Sequence, residues 1–511
     1  MPLKKVLIAN GGEIAVRIIR ACRDMGLATV AVYSECDRPA LHVRFADEAC
    51  PIGPSAPRDS YLRIDSILEA ARRTGADEVH PGYGFLAENE GFAAAVCDAG
   101  LTFIGPSPAA VALMGSKTAA RQAAIRAGVP VVPGTETPLS VDVGDAEIAR
   151  IAGGIGYPLL VKAVAGGGGK GMRTVTDRVD LAGAVRAARS EAGAAFGDAA
   201  IYLERRLRAP RHIEVQLLGD HHGNVLPFLE RECSIQRRHQ KVVGETPSQA
   251  VTPAIRQAMT SAAASVARAV GYTNAGTIEF LLDQDGRFYF LYMNTRLQVE
   301  HPITEMVTGV DLVRRQIRIA RGERLDLDPT RMLSPQGHAV ECRIYAEDPD
   351  NSFLPSPGRI LHLREPAGPG IRDDSGVTAG LDVPIFYDPL MSKLIAWAED
   401  RPSAIARMRR ALDEYVVTGI KTTVPFFKWL MQEPDFLAGR CHTRYLDEVL
   451  STRNGRAFLE PDAAAEDVAA LAAALTAELP PAAFVPAHAE SPSTPPIERR
   501  WKARARAEAL R

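Results

Sequence analysis

Apolar residues in the first 115 positions come in short continuous runs separated by stretches of helical spacing. Val6–Ala9 reads as a strand, Ile14–Met25 as an amphipathic helix ended by Gly26, and Thr29–Tyr33 as a second strand. Tyr61–Thr74, Glu78–His80, Gly91–Ala99 and Leu101–Ile104 continue the alternation, which predicts a parallel sheet with helices. His80 to Phe85, HPGYGF, form a glycine-rich turn after a strand, and such turns commonly face a ligand. The opening Gly11-Gly12-Glu13 resembles a phosphate turn but lacks GxGxxG spacing, which leaves a plain strand-to-helix turn as the simpler reading.

A different pattern covers residues 276 to 302. Thr277–Leu282 and Arg287–Tyr292 are apolar and aromatic runs joined by Asp283-Gln284-Asp285-Gly286, which predicts an antiparallel hairpin with Glu279 near Met293 and Asn294. Asn294, Arg296, Gln298, Glu300 and His301 follow, alternating as an extended chain would, so that several point to one side. A solvated strand edge is the plain reading of that row. Neighbouring motifs bear on it.

Beyond Ile104 two short helical patterns are expected, with Ser107 as a cap, Pro108 at the first helical position and Lys117 opening the second helix. Alone, Lys117 reads as a solvated charge. Residues 157 to 175 place a strand ending in Lys162 before Gly166, Gly167, Gly168 and Gly169, then Lys170, Gly171 and Met172. Glycines let backbone N–H groups approach phosphate oxygens, and Lys162 adds a point charge. The loop is no Walker A, because glycine rather than Ser or Thr follows Lys170. A flexible linker is the competing reading.

Glu204 opens a run, ERRL, able to bridge two subdomains. His212 lies in strand alternation opposite Ile213, Val215 and Leu217, and by itself reads as a surface histidine. Residues 229 to 241 concentrate Arg231, Arg237, Arg238, His239 and Lys241 into an anion attractor or a basic surface patch, with Cys233 among them as a packed thiol. Arg343 stands inside a largely apolar strand and requires a carboxylate partner or a ligand. Asp311–Ala320 and Ser403–Leu412 read as helices, and after Leu450 the composition turns to alanine and then proline.

Length allows about three domains. With 60 basic against 62 acidic residues, the net charge of -2 gives no global reason to expect nucleic acid or an anionic membrane as partner. Seven cysteines without a CxxC pair argue against a disulfide framework or a zinc site and fit a reducing cytoplasm. No segment reaches the roughly 18 apolar residues of a membrane helix. A soluble cytoplasmic protein is expected.

In order along the chain, HPGYGFLAEN, MGSK, GGGGKGM, ERECSIQRRHQK, GTIEF, MNTRLQVEHPITEM and GHAVECRIYAEDP resemble the biotin carboxylase family of ATP-grasp enzymes, over about residues 3 to 448. The resemblance implies an α/β fold: a Rossmann-like N-terminal domain over 1–115, an ATP-grasp domain over 116–330 with a mobile lid at about 133–205, and a β-rich C-terminal domain over 331–448. Residues 449–511 would be an Ala/Pro-rich appendage, partly disordered. Lys117 and Lys162 would contact nucleotide phosphates beneath a lid of Gly166, Gly167, Gly168, Gly169, Gly171 and Met172. Glu204 and Leu207 would lie by the adenine, His212 and Gln236 by the nucleoside, and His239 near the phosphates. Glu279 would hold Mg2+ or Mn2+, with Asn294 close by. Arg296, Gln298 and the Val299 backbone would bind bicarbonate, Glu300 would act as base with Lys241 beside the transferring groups, and Arg343 would stabilise the biotin enolate.

The implied reaction is ATP-dependent carboxylation of biotin. No AMKM-like biotinylation motif and no length for a carboxyltransferase are found, so the implied partners are a biotin carboxyl carrier protein or domain, a second copy of the chain in a homodimer, and a carboxyltransferase subunit. Three positions depart from the family's pattern. Gly11 stands where an arginine is usual, and Gly244 precedes Glu245 where two acidic residues are usual. Tyr292 stands where a second metal-binding glutamate is usual, and a phenol is a poor magnesium ligand beside a carboxylate. The alternative implied by Tyr292 is a nucleotide-binding scaffold or regulatory subunit with impaired catalysis.

Overall fold

Val6, Leu7 and Ile8 are wholly buried, and alternate residues of this one strand feed two separate cores, because successive side chains leave a strand on opposite faces. The computed structural model describes residues 5–164, 172–196, 199–453, 455–460 and 463–478. In it β1 (Lys5–Ile8), α1 (Gly12–Asp24), β2 (Ala28–Ser34), β3 (Glu48–Gly53), α2 (Ile64–Thr74), β4 (Glu78–His80), α3 (Glu90–Asp98) and β5 (Thr102–Phe103) follow the predicted alternation. The sheet is parallel, in the order β3-β2-β1-β4-β5. Ile8 packs with Ile14 and Ile18 of α1 on one face, and Leu7 with Ile67 and Phe92 on the other.

Strand order reverses between β1 and β4, so the turns after them flank the crevice where open α/β sheets bind ligands. Asn10 ties the two turns together, its Nδ2 donating to the carbonyls of Pro81 (2.9 Å) and Tyr83 (2.7 Å). Gly82 has φ +63°, and a Cβ there would come within 3.0 Å of Asn10 Nδ2, so the turn admits only glycine cheaply.

Helices α4 (Pro108–Gly115) and α5 (Lys117–Arg126) start as predicted: the hydroxyls of Ser107 and Ser116 accept from the backbone N–H of Ala110 and Ala119. β6 (Leu159–Ala163), β7 (Met172–Val175) and β8 (Ile201–Arg205) form a small antiparallel sheet. Gly166, Gly167, Gly168, Gly169 and Gly171 lie outside the described residues.

An eight-stranded sheet carries several of the candidate site residues. It is built from β9 (Arg211–Gly219), β10 (Val225–Glu232), β11 (Val243–Thr246), β12 (Asn274–Leu282), β13 (Phe288–Asn294), β14 (His338–Tyr345), β15 (Ile371–Ser375) and β16 (Leu390–Ala398), in the order β13-β12-β9-β10-β11-β14-β16-β15. One sheet therefore joins segments 211–294 and 338–398. Helices α6 (Pro253–Ala269), α7 (His301–Thr308), α8 (Leu312–Ala320) and α9 (Arg401–Glu414) accompany it. Residues 1–458 form one compact unit; in the other, 459–511, the described residues are 459–460 and the helix Ala463–Glu478. Among the described residues no helix is long and apolar enough to cross a membrane.

Candidate functional site

Four adjacent strands place Arg231, Glu214, Glu279 and Tyr292 directly opposite one another in a single row. Glu214 and Glu279 are thus facing like charges, an arrangement that destabilises a sheet unless cations offset it. Arg231, wholly buried, donates to Glu214 and to Gln216, Thr304 and Thr277. Lys241 Nζ lies 2.6 Å from Glu214, 2.7 Å from Glu279 and 2.9 Å from Glu300. Glu300 also accepts from Arg343 at 2.7 Å. Three carboxylates, Glu214, Glu279 and Glu300, are thereby matched by three cations, Arg231, Lys241 and Arg343.

This balance sets the protonation states. Burial alone would raise the pKa of Glu300, but Lys241, Arg343 and Arg231 overcome it and hold the carboxyl well below its usual range. Burial likewise opposes ionisation of Glu279, and Lys241 and His212 outweigh it. Burial works against the charge on Lys241 too, yet Glu214, Glu279 and Glu300 raise its pKa well above that of a free lysine. Carboxylates so stabilised are ionised but weak as bases. Anionic ligands that draw on Lys241 and Arg343 would return basicity to Glu300.

Around this cluster opens a cavity of about 670 Å³, and most of the predicted site residues line it: Lys117, Lys162, Met172, Glu204, His212, Gln236, His239, Lys241, Glu279, Tyr292, Asn294, Arg296, Gln298, Val299 and Arg343. Glu300 sits just behind, 1 % exposed, reached through Lys241 and Arg343. Leu207, in the loop after β8, is not among the lining residues. Lys162 is bonded to Glu204, and Arg121 lies 3.6 Å from the same carboxylate. Burial and the neighbouring Lys162 charge lower the pKa of Lys117. Gln236 and Lys241 pair across a turn whose Arg238 and His239 have φ +49° and +67°. Glycine or asparagine is usual there. The strained turn puts the His239 ring at the cavity wall.

Several expectations are corrected. His212 is no surface histidine: it is buried with Nε2 3.2 Å from Glu279, on a face where Glu214 in turn meets Lys241. The basic run does not act as one patch, since Arg231 is internal and Arg237 is bonded to Glu347 over the Phe353 ring. Residues 295–300 are not extended; the chain bends after β13 and turns into α7, with Glu300 at its N-cap. Asn294, Gln298 and Glu300 nevertheless converge, because the bend wraps them around Lys241 and Glu279: Asn294 Nδ2 and Gln298 Nε2 donate to Glu279 at 2.7 and 3.2 Å. Arg343 has the carboxylate partner its apolar strand demanded, Glu300, and Cys233 is a packed thiol whose pKa burial pushes well up.

Glu214 and Glu88 went unnoticed in the sequence. Glu214 was legible as a carboxylate on the His212 face of an apolar strand; Glu88, at 3.0 Å from Arg296, had no comparable signal. The donor set suits a hard divalent cation. Glu279 offers carboxylate oxygen and Asn294 an amide oxygen, and ligating atoms of His212, Glu214 and Glu279 lie within 4.8 Å of one another. Tyr292 occupies the end of the row with a neutral phenol, its pKa raised by burial and by Glu88.

Behind Arg343, on the same strand face, Glu341 is wholly buried and its oxygens lack a hydrogen-bond partner among the described residues. Burial pushes its carboxyl up to about 8 from the usual 4.5, against the pull of Lys393 and Arg343. A folded-state pKa above the unfolded one means that stability is fully present below about 4.5 and is lost as pH rises towards 8. Glu341→Gln is expected to narrow the difference in melting temperature between pH 5 and pH 8.5; thermal melts at both pH values test this.

Comparison with known proteins is consistent along the chain. "Biotin carboxylase, N-terminal domain" matches residues 2–111, "Carbamoyl-phosphate synthase L chain, ATP binding domain" residues 116–328, and "Biotin carboxylase C-terminal domain" residues 341–448. A biotin carboxylase from a Nostoc species is 52% identical over 88% of this chain and 100% of its own. One of the subunits of pyruvate carboxylase from Methanothermobacter thermautotrophicus is also 52% identical, over 87% of this chain and 89% of its own. Among solved structures, the biotin carboxylase domain dimer of the Hydrogenobacter thermophilus 2-oxoglutarate carboxylase, in complex with MgADP, ADP and bicarbonate, is 46% identical with TM-score 0.83. The match covers 90% of this chain and 99% of that one.

Proposed function

The chain belongs to the biotin carboxylase family, and on that premise we propose how its residues share out the ATP- and bicarbonate-dependent carboxylation of biotin. The observation that carries the reading is the balanced cluster of Lys241, Glu279, Glu300 and Arg343 on one cavity.

Lys117, Lys162 and His239 bind the nucleotide phosphates, with Gly166 to Met172 over them; His212 and Gln236 face the nucleoside, and Glu204 and Leu207 the adenine. Lys162 leaves Glu204 for the phosphates when ATP enters. Glu279 and Asn294 would hold Mg2+, which would neutralise phosphate charge. Arg296, Gln298 and the Val299 N–H hold bicarbonate, whose planar oxygens suit a guanidinium fork. Glu300 takes the bicarbonate proton as an oxygen of that anion attacks the γ-phosphorus and ADP departs; Lys241 stabilises the charge that develops. Carboxyphosphate then separates into carbon dioxide and phosphate, the released phosphate takes the ureido N–H proton of biotin, and the ureido nitrogen, its enolate oxygen held by Arg343, attacks the carbon dioxide. Biotin arrives on a separate carrier protein or domain, a carboxyltransferase subunit takes the product on, and the chain works as a homodimer, as the Hydrogenobacter domain does.

Tyr292 favours one second reading, a nucleotide-binding subunit with impaired turnover. ATP hydrolysis that depends on bicarbonate and is stimulated by free biotin separates the two. The unaltered chain is expected to be active, and Tyr292→Glu to change its Mg2+ requirement, because a third carboxylate in the strand row would exceed the cations present. Inactivity of the unaltered chain with recovery in Tyr292→Glu would establish the second reading.

A further inference from the structure

Arg296 is gripped before any ligand arrives. Its Nε donates to Glu88 Oε2 at 3.0 Å, one terminal nitrogen donates to the Leu297 carbonyl at 3.1 Å, and the other to Asn294 Oδ1 at 3.2 Å. Glu88 uses its second oxygen as well, accepting the backbone N–H of Thr295 at 3.1 Å. One carboxylate thus ties down the guanidinium and the peptide beside it. Glu88 comes from the loop between β4 and α3, on the parallel-sheet side of the molecule, 208 positions away from Arg296.

A guanidinium has five N–H groups. Three are engaged by Glu88, Leu297 and Asn294, which leaves one on each terminal nitrogen for a ligand in the cavity that Arg296 lines. Two parallel donors at that end match two oxygens of a planar anion. Among the described residues Glu88 is the one carboxylate within ion-pair distance of Arg296, and it does not itself line the cavity. Tyr292 adds no competing charge: its phenol lies beside Glu88, where a glutamate would repel it.

We propose that Glu88 is a positioning residue for Arg296: by holding the Nε edge and the Thr295 peptide, it aims the terminal N–H pair at bicarbonate. The proposal rests on the reading that Arg296 binds that anion. It differs from the other role open to a carboxylate on this arginine, a plug that bicarbonate must displace. A plug would span the terminal nitrogens, whereas Glu88 takes Nε and spends its other oxygen on the backbone.

Steady-state kinetics of the full chain with Glu88→Gln, Glu88→Ala and Arg296→Lys decide the matter. Both Glu88 variants are expected to raise the KM for bicarbonate, about tenfold in Glu88→Ala and less in Glu88→Gln, whose amide oxygen still accepts from Nε. The KM for ATP should stay unchanged. Glu88→Gln is nearly isosteric, so a melting temperature close to that of the unaltered chain keeps the test valid if Glu88→Ala folds poorly. An unchanged KM for bicarbonate in Glu88→Gln and Glu88→Ala would overturn the proposal, as would a lowered one, which marks a plug. If Arg296→Lys also leaves that KM unchanged, the bicarbonate reading of Arg296 fails; if Arg296→Lys raises it and the Glu88 variants do not, only the role of Glu88 fails.

Discussion

Lys241→Met is expected to cost about 3–5 kcal/mol of stability at neutral pH and to lower bicarbonate-dependent ATP hydrolysis at least about 100-fold. The stability loss follows from the strand row. Glu214 and Glu279 face each other across β9 and β12, and Glu300 closes on them from the start of α7. Lys241 is within 2.9 Å of all three, so without its ammonium three buried carboxylates share only Arg231 and Arg343. Denaturant unfolding at pH 7 and at about pH 3.5, below the usual carboxylate value, checks the cause. Glu279 and Glu300 have depressed pKa values, so their contribution is present above the usual 4.5 and is lost as pH falls through the folded-state values. In Lys241→Met that contribution is missing, so the gap between variant and unaltered chain should shrink towards acid pH. A gap independent of pH would point to lost packing instead.

Glu300→Gln is expected to reduce turnover by about 10²–10⁴, the usual worth of a positioned base. An amide at this position keeps one acceptor oxygen for Lys241 or Arg343, which in the unaltered chain donate to separate carboxylate oxygens, but cannot take a proton. Nucleotide affinity, measured by calorimetry, should be unchanged, because Glu300 lies behind the wall that ATP would touch. A variant that binds ATP normally and hydrolyses it with bicarbonate at the original rate would show that the proton leaves by another group.

Much of this was legible along the chain. Periodicity located the parallel sheet, the Ser107 cap, the helix opening at Lys117 and the hairpin, because these depend on local spacing and on groups a few positions apart. Most of the residues that motif chemistry picked out line the cavity. Three of the residues that escaped a correct reading share one cause. His212, Glu214 and Arg231 lie on strand faces that look solvent-directed by alternation, yet all three are buried, His212 against Glu279, Glu214 against Lys241 and Arg231 against Thr304.

By itself the sequence determined the two kinds of sheet, the order of the elements and the set of polar residues assigned to chemistry, since hydrophobic period and residue type are properties of neighbouring positions. Tertiary structure alone decided which of those charges meet. Register across β10, β9, β12 and β13 aligned Arg231, Glu214, Glu279 and Tyr292, and the bend after β13 brought Glu300 between Lys241 and Arg343. Contact between Glu88 and Arg296 arose in the same way, from the packing of two segments 208 positions apart, and no local pattern encodes a distance of that kind.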